Sequence, residues 1–174
     1  MDVKALDKIG YGLYIVSSRK GDRPNGQIVN ALIQTTCEPF AIAVNINKEN
    51  FTHQCIEASG VFSVSILSED TEMKFLGTFG FRDGREVDKF SGYNYKIGKT
   101  TAPIMLDNTL AYLEVKLTDQ LELTTHTLFV GEVVEAEVIK EGNPMTYAYY
   151  HQVKGGKTPK RAATYIPGLH SSSK

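Results

Sequence analysis

Residues 127–139, TLFVGEVVEAEVI, read as one long β-strand whose Gly131 marks a bend or bulge, as strands that turn a barrel corner need. Working outward, residues 109–118 alternate. Ala111, Leu113, Val115 and Leu117 point one way, and Tyr112, Glu114 and Lys116 the other. Residues 61–67 repeat the pattern, with Phe62, Val64 and Ile66 against Ser63 and Ser65. Residues 41–46, AIAVNI, form a short apolar run suited to a buried strand. Residues 11–18 and 27–36 are further strands, separated by the turn-rich KGDRPNG.

Helical signals are few. They cover 52–59 with Cys55 and Ile56 on one face before Gly60, 69–77 with Met73 and Leu76, and a turn started by Asn143-Pro144 that runs to about Tyr149. Many strands and few helices predict a mainly β fold, a closed or nearly closed barrel that removes exposed edges. One domain over 1–167 is expected, with a disordered tail over 168–174.

Composition narrows the classes. The chain has 174 residues, 41% hydrophobic and 22% charged, with a formal net charge of −1. That balance provides no field to gather nucleic acid or an anionic membrane, so neither is expected as a partner. No stretch reaches the roughly 20 apolar residues of a membrane span, and the N-terminus lacks the pattern of a secretory leader. Cys37 and Cys55 form no CxxC pair or disulfide framework, which points to a cytoplasmic protein. The basic run Lys154, Lys157, Lys160 and Arg161 is broken by Gly155, Gly156 and Pro159. It reads as a solvated loop, with a local phosphate contact as the sharper alternative.

Familiar catalytic signatures are missing. Gly10-Tyr11-Gly12 has no third glycine and no following helix, Lys154-Gly155-Gly156-Lys157-Thr158 lacks P-loop spacing, and no GxSxG occurs. His53, His126, His151 and His170 do not fall at metal-ligand spacing. What remains is three polar clusters. Asn30, Gln34, Thr35 and Thr36 interrupt a strand, as a solvated face or as the wall for a flat heteroaromatic ligand. Asn47-Lys48-Glu49-Asn50-Phe51-Thr52 joins a buried strand to a helix start, as a plain cap or as a phosphate cradle. Phe79-Gly80-Phe81-Arg82-Asp83-Gly84-Arg85 offers guanidiniums to a phosphate, or to its own acidic neighbours.

The order of YGLYIVSS, NGQIVNALIQTTCEP, INKENFTHQCIEASGVFSVSIL, FGFRDGREVDKF and HTLFVGEVVEAE resembles the flavin-reductase-like FMN-binding split barrels. That family includes flavoredoxin, ferric reductases and the flavin domain of high-molecular-weight rubredoxin. The resemblance spans residues 1–167 and implies FMN as cofactor and a homodimer of split barrels. By position, Asn30, Ala31, Leu32, Gln34 and Thr35 match the strand along the isoalloxazine ring, and Asn47, Lys48, Asn50 and Thr52 the segment holding phosphate and ribityl chain. Phe81 and Arg82 match the loop folding over the flavin, and His126 a residue near the ring and nicotinamide pocket. Ala31 and Ile33 stand where many relatives carry hydroxyl residues, leaving more of the contact to backbone groups.

The resemblance implies an oxidoreductase that takes hydride from NADH or NADPH onto bound FMN, a reaction needing no side-chain acid or base. The alternative is a non-catalytic FMN carrier or sensor; pyridoxamine phosphate oxidation or haem binding is a third reading. With only Cys37 and Cys55 the chain lacks the two CxxC pairs of a rubredoxin centre. Electrons are therefore expected to pass to a separate acceptor: a rubredoxin-like protein, free flavin, an iron chelate or oxygen. The strand 127–139 and the aromatic residues Tyr147, Tyr149 and Tyr150 offer apolar surface for the second copy of a homodimer.

Overall fold

The structure is a computed structural model that describes residues 1–168. The expected disordered tail falls, apart from Gly168, outside the described residues, as does His170. A 3-10 turn over Val3–Lys8 leads into the strands β1 (Tyr14–Lys20), β2 (Arg23–Val29), β3 (Leu32–Cys37) and β4 (Phe40–Asn47). Then come helix α1 (Phe51–Ser59), β5 (Val61–Leu67), α2 (Met73–Phe81) and the short hairpin β6 (Tyr95–Ile97) and β7 (Pro103–Met105). The long strands β8 (Thr109–Glu122) and β9 (His126–Val138) and a short helix α3 (Tyr147–Gln152) complete the order.

One antiparallel sheet runs β2-β1-β5-β8-β9-β4-β3, with β6-β7 as a separate pair. The fold is thus mainly β with a few short helices, as expected, but the sheet does not close. The stretch 27–36 is not one strand. It breaks at Asn30-Ala31, and its halves lie at opposite edges of the seven-stranded ladder. Three residue steps span at most about 11 Å, so the sheet must curl until those edges nearly meet. That is a split barrel. At the break, Leu32 N–H bonds back to Asn30 O at 3.0 Å and the Ala31 carbonyl accepts from Asn45 N–H at 3.0 Å.

Gly131 holds the bend that its position in the sequence suggested. It pairs with Leu117 on β8 and Ile42 on β4, and the β8–β9 register slips between Leu117 and Asp119. A Cβ there would lie 2.5 Å from Val115 Cγ1 and 2.6 Å from the Lys116 carbonyl oxygen. Only glycine lets β8 bulge this close.

The curled sheet packs apolar residues on both faces. Val16, Ile42, Val44, Ile46, Phe62, Val64, Val115 and Phe129 fill the inside with Ile56 from α1. Ile15, Leu67, Phe75, Leu76, Phe79, Phe90 and Met105 pack outside, beneath α2 and the β6–β7 region. Consequently the polar faces of β5 and β8 are buried where the hairpin covers them. Ser63 and Ser65 donate to the Pro103 and Met105 carbonyls at 2.5 and 2.9 Å. Glu114, 1% exposed, accepts from Lys99 N–H, Thr100 N–H and the Thr100 hydroxyl at 3.1, 2.8 and 2.7 Å. Saturated in this way, a buried carboxylate is tolerable.

The first helix ends at Gly60 as expected, and the other two differ from expectation at their starts. α1 stops where Gly60 takes a left-handed φ of 66° and returns its N–H to Ile56 O. α2 starts at Met73, not residue 69, and leaves Met73 itself 43% exposed. Asn143-Pro144 does not start α3, because Pro144 bridges to Ser68; Thr146 caps the helix, its hydroxyl accepting from Tyr149 N–H at 3.1 Å. Residues 23–26, read as loop, are strand paired with Ser17–Lys20, and only Gly21 and Asp22 form the turn. Tyr150 is buried in the outer core with Tyr147 and Tyr149 packed against it.

Candidate functional site

A cavity of about 1050 Å³ opens between β2, the start of α1, α2 with the loop after it, and the segment 157–165. It lies at the top of the size range for cofactor pockets. Of the residues picked from sequence, Asn30, Asn47, Asn50, Thr52, Phe81 and Arg82 line it together. Ala31 lies at the break and Leu32 just past it, both off the wall, and Gln34 and Thr35 are exposed on β3, also outside it. Lys48 turns away to pair with Glu122 at 2.7 Å. His126, opposite Asn47 in the β4–β9 register, is also off the wall; its Nδ1 meets the Thr125 hydroxyl at 2.8 Å. Its Nε2 is buried without a well-formed hydrogen bond. Burial holds the His126 pKa below the ordinary histidine value, against an opposing hydrogen bond with the Arg161 main chain.

The inner wall is lined by carboxamides: Asn25, Gln27, Asn30, Asn45, Asn47 and Asn50. Asn25 Nδ2 donates to the Thr52 hydroxyl at 2.7 Å, and both residues are at most 2% exposed. Gln27 Oε1 and Asn45 Oδ1 are buried and unpartnered. Buried acceptors of this kind carry a cost unless a donor arrives. A ligand with ring N–H and hydroxyl donors would supply one.

Lys89 forms part of the wall, only 5% exposed, its ammonium donating to Gly26 O at 3.0 Å and Phe79 O at 3.4 Å. Burial pushes its pKa down to about 8, partly offset by Asp83. Around the α1 start the charge is mostly positive. Arg23 and Arg85 lie over the Phe51 ring at 5.2 and 5.8 Å. Arg85 and Arg161 reach Asp83 at 2.7 and 3.5 Å, and Arg161 also meets Glu49 at 3.0 Å. Partial burial works to raise the Asp83 pKa, but the Arg85 N–H and the two guanidiniums hold it below the usual carboxylate range.

Sequence reasoning missed Asn25, Gln27, Asn45, Lys89 and the strap of residues 157–165. Asn45, a lone amide in an apolar run, carried a legible signal. Lys89 carried none, and the basic loop read as solvated forms the cavity's outer wall instead. The strap is held by Asn30 Nδ2 donating to the Thr164 hydroxyl at 2.7 Å, by Tyr147 against Thr158 at 2.6 Å, and by the Tyr150 hydroxyl donating to Lys157 O at 3.0 Å.

The flavin reductase like domain family matches residues 6–156. The chain is 50% identical over 166 residues to a ferric-chelate reductase (NAD(P)H) of Archaeoglobus fulgidus, covering 95% of this chain and 98% of the relative. It is 50% identical over 168 residues to a high molecular weight rubredoxin of Moorella thermoacetica, covering 97% of this chain and 73% of that one. An FMN-binding protein from Thermus thermophilus superposes with a TM-score of 0.69 at 25% identity, over 75% of this chain and 72% of the other. By sequence and by fold, the chain belongs to the flavin-reductase-like family of oxidoreductases.

Proposed function

We propose that the cavity holds FMN and that the protein passes electrons from NADH or NADPH through it to a separate acceptor. The observation that supports this reading most is the pairing of orphaned acceptors Gln27 Oε1 and Asn45 Oδ1 with the cations Arg82 and Arg161 on the same cavity wall. An FMN presents hydrogen-bond donors at one end and a phosphate at the other, and this wall answers both. Bound FMN would supply hydride acceptance and onward electron transfer. The chain's own contribution is positional. Asn25, Gln27, Asn30 and Asn45 would orient the polar edge of the ring and the ribityl chain. Thr52, with the free first-turn N–H groups of α1, would receive the phosphate, since the Asn50 side chain makes no capping bond there. Phe79, Phe81 and Leu76 exclude water from one side.

The named activities of the two close relatives favour an iron chelate or a rubredoxin-type protein as acceptor. A second copy of the chain would cover the exposed apolar residues Ile33 and Phe40, 63% and 62% exposed on the β3–β4 hairpin, giving a cytoplasmic homodimer. Anaerobic addition of NADH or NADPH to FMN-loaded protein tests the function. Rapid loss of the oxidised flavin band is expected. Binding of FMN without bleaching would make the protein a carrier instead, and binding of FAD, pyridoxal phosphate or haem in its place would overturn the cofactor.

A further inference from the structure

Arg161 joins two rims of the cavity that are far apart in sequence. Its Nε lies 3.0 Å from Glu49 Oε2, immediately before α1, and its Nη1 3.5 Å from Asp83 Oδ2, just after α2. The strap carrying it begins at Lys157, where the matched family domain has ended at residue 156. Thr164 secures the far end of the strap to Asn30, at the break between β2 and β3. The strap therefore crosses the mouth between α1 and the loop after α2, tied on both sides.

We infer that this tied strap is a size filter that selects a flavin mononucleotide over a flavin dinucleotide. The inference rests on the cofactor reading above and adds to it the element that sets specificity. If the phosphate sits at the start of α1, a group attached beyond it on that side would meet Arg161, held between Glu49 before α1 and Asp83 after α2. A monophosphate ends before the bridge; the adenylyl half of FAD has to displace it. The ties suit a filter that also lets the mononucleotide in and out. The Arg161 and Glu49 side chains are 47% and 72% exposed, and ion pairs so exposed hold weakly in water. Closure comes from several such ties acting together, with no apolar packing of the strap into either core.

The test is a double variant, Glu49→Gln with Thr164→Val, which frees the strap from the α1 rim and from Asn30, leaves Arg161 facing Asp83 alone, and removes no cation from the phosphate end. Dissociation constants for FMN and FAD are measured by flavin fluorescence on wild-type and variant protein, with FMN release followed by dilution. Wild type should favour FMN, and the variant should lower the FMN-to-FAD preference by about tenfold, as one ion pair and one hydrogen bond together allow. The change should come from tighter FAD binding, with faster FMN release. Both flavins bound at an unchanged ratio would overturn the filter while leaving the cofactor reading intact. A preference for FMN that rises would also overturn it, showing the freed Arg161 acting on the phosphate. Wild-type protein that binds neither flavin would overturn the cofactor reading and the filter with it.

Discussion

Asn25 and Thr52, from β2 and from the first turn of α1, meet across the cavity wall through a 2.7 Å hydrogen bond with both side chains buried. This contact fixes the start of α1 against the sheet edge, so the same hydroxyl serves the fold and the proposed phosphate site. Thr52→Val keeps the shape and strands the Asn25 amide. A stability loss of about 1–3 kcal/mol is expected, together with weaker FMN binding and little change for riboflavin. Lys48→Ala should alter neither affinity, because Lys48 is engaged with Glu122. Denaturant melts and flavin titrations on both variants check this, and a large FMN loss in Lys48→Ala would move the phosphate site toward Glu122.

Lys89 gives a pH signature. Its folded pKa of about 8 lies below the usual 10.5, so folding disfavours its charged form. Between these values the unfolded chain binds more protons, and stability from this group rises with pH; below pH 8 there is no slope. Cys55, raised to about 11 by burial, works in the opposite direction above pH 9. The difference in unfolding free energy between wild type and Lys89→Met cancels the cysteine. It should climb from pH 8 upward, by about 3 kcal/mol at full extent. A flat difference would show that Lys89 titrates normally.

His126 is expected to matter through its neighbour more than through the flavin. It stands off the cavity wall and touches the Arg161 main chain. His126→Ala should retain FMN and slow flavin reduction by NADH or NADPH, well short of the ~10²-fold that misplacing a reacting group costs. Single-turnover reduction across nicotinamide concentrations gives the answer. A loss on that larger scale would place the imidazole in the nicotinamide pocket itself.

Gly131→Ala forces a methyl group into Val115 Cγ1 and the Lys116 carbonyl. Backbone cannot yield as a side-chain tip can, so a loss of about 1–3 kcal/mol is expected. Thermal unfolding measures it. An unchanged melting temperature would mean that the β8 bulge relaxes freely.

The barrel was legible in the sequence because alternation and the Gly131 bend are local signals. The split was not, because Asn30 and Ala31 look like any polar interruption in a strand, and only the tertiary ladder sends Val29 and Leu32 to opposite edges. Arg23–Gly26 misled for a similar reason: Pro24 and Gly26 are turn residues by propensity, yet β2 is an edge strand, where proline is tolerated. At the site, Asn47, Asn50 and Thr52 were found through the helix start they surround. Gln27 and Lys89 were not, since a strand glutamine and a lysine in an acidic loop read as solvent-facing until β2, α2 and the strap close over them.

The strap has a consequence for how this kind of protein can diversify. Among the described residues, none beyond Tyr150 belongs to either apolar core. Changes in the covering segment therefore leave the apolar packing of the barrel in place and act on the hydrogen bonds and ion pairs that tie the segment down. What the chamber admits and how the barrel folds can therefore vary separately, because the cover is a surface laid across the cavity and not a part of the packed scaffold beneath it.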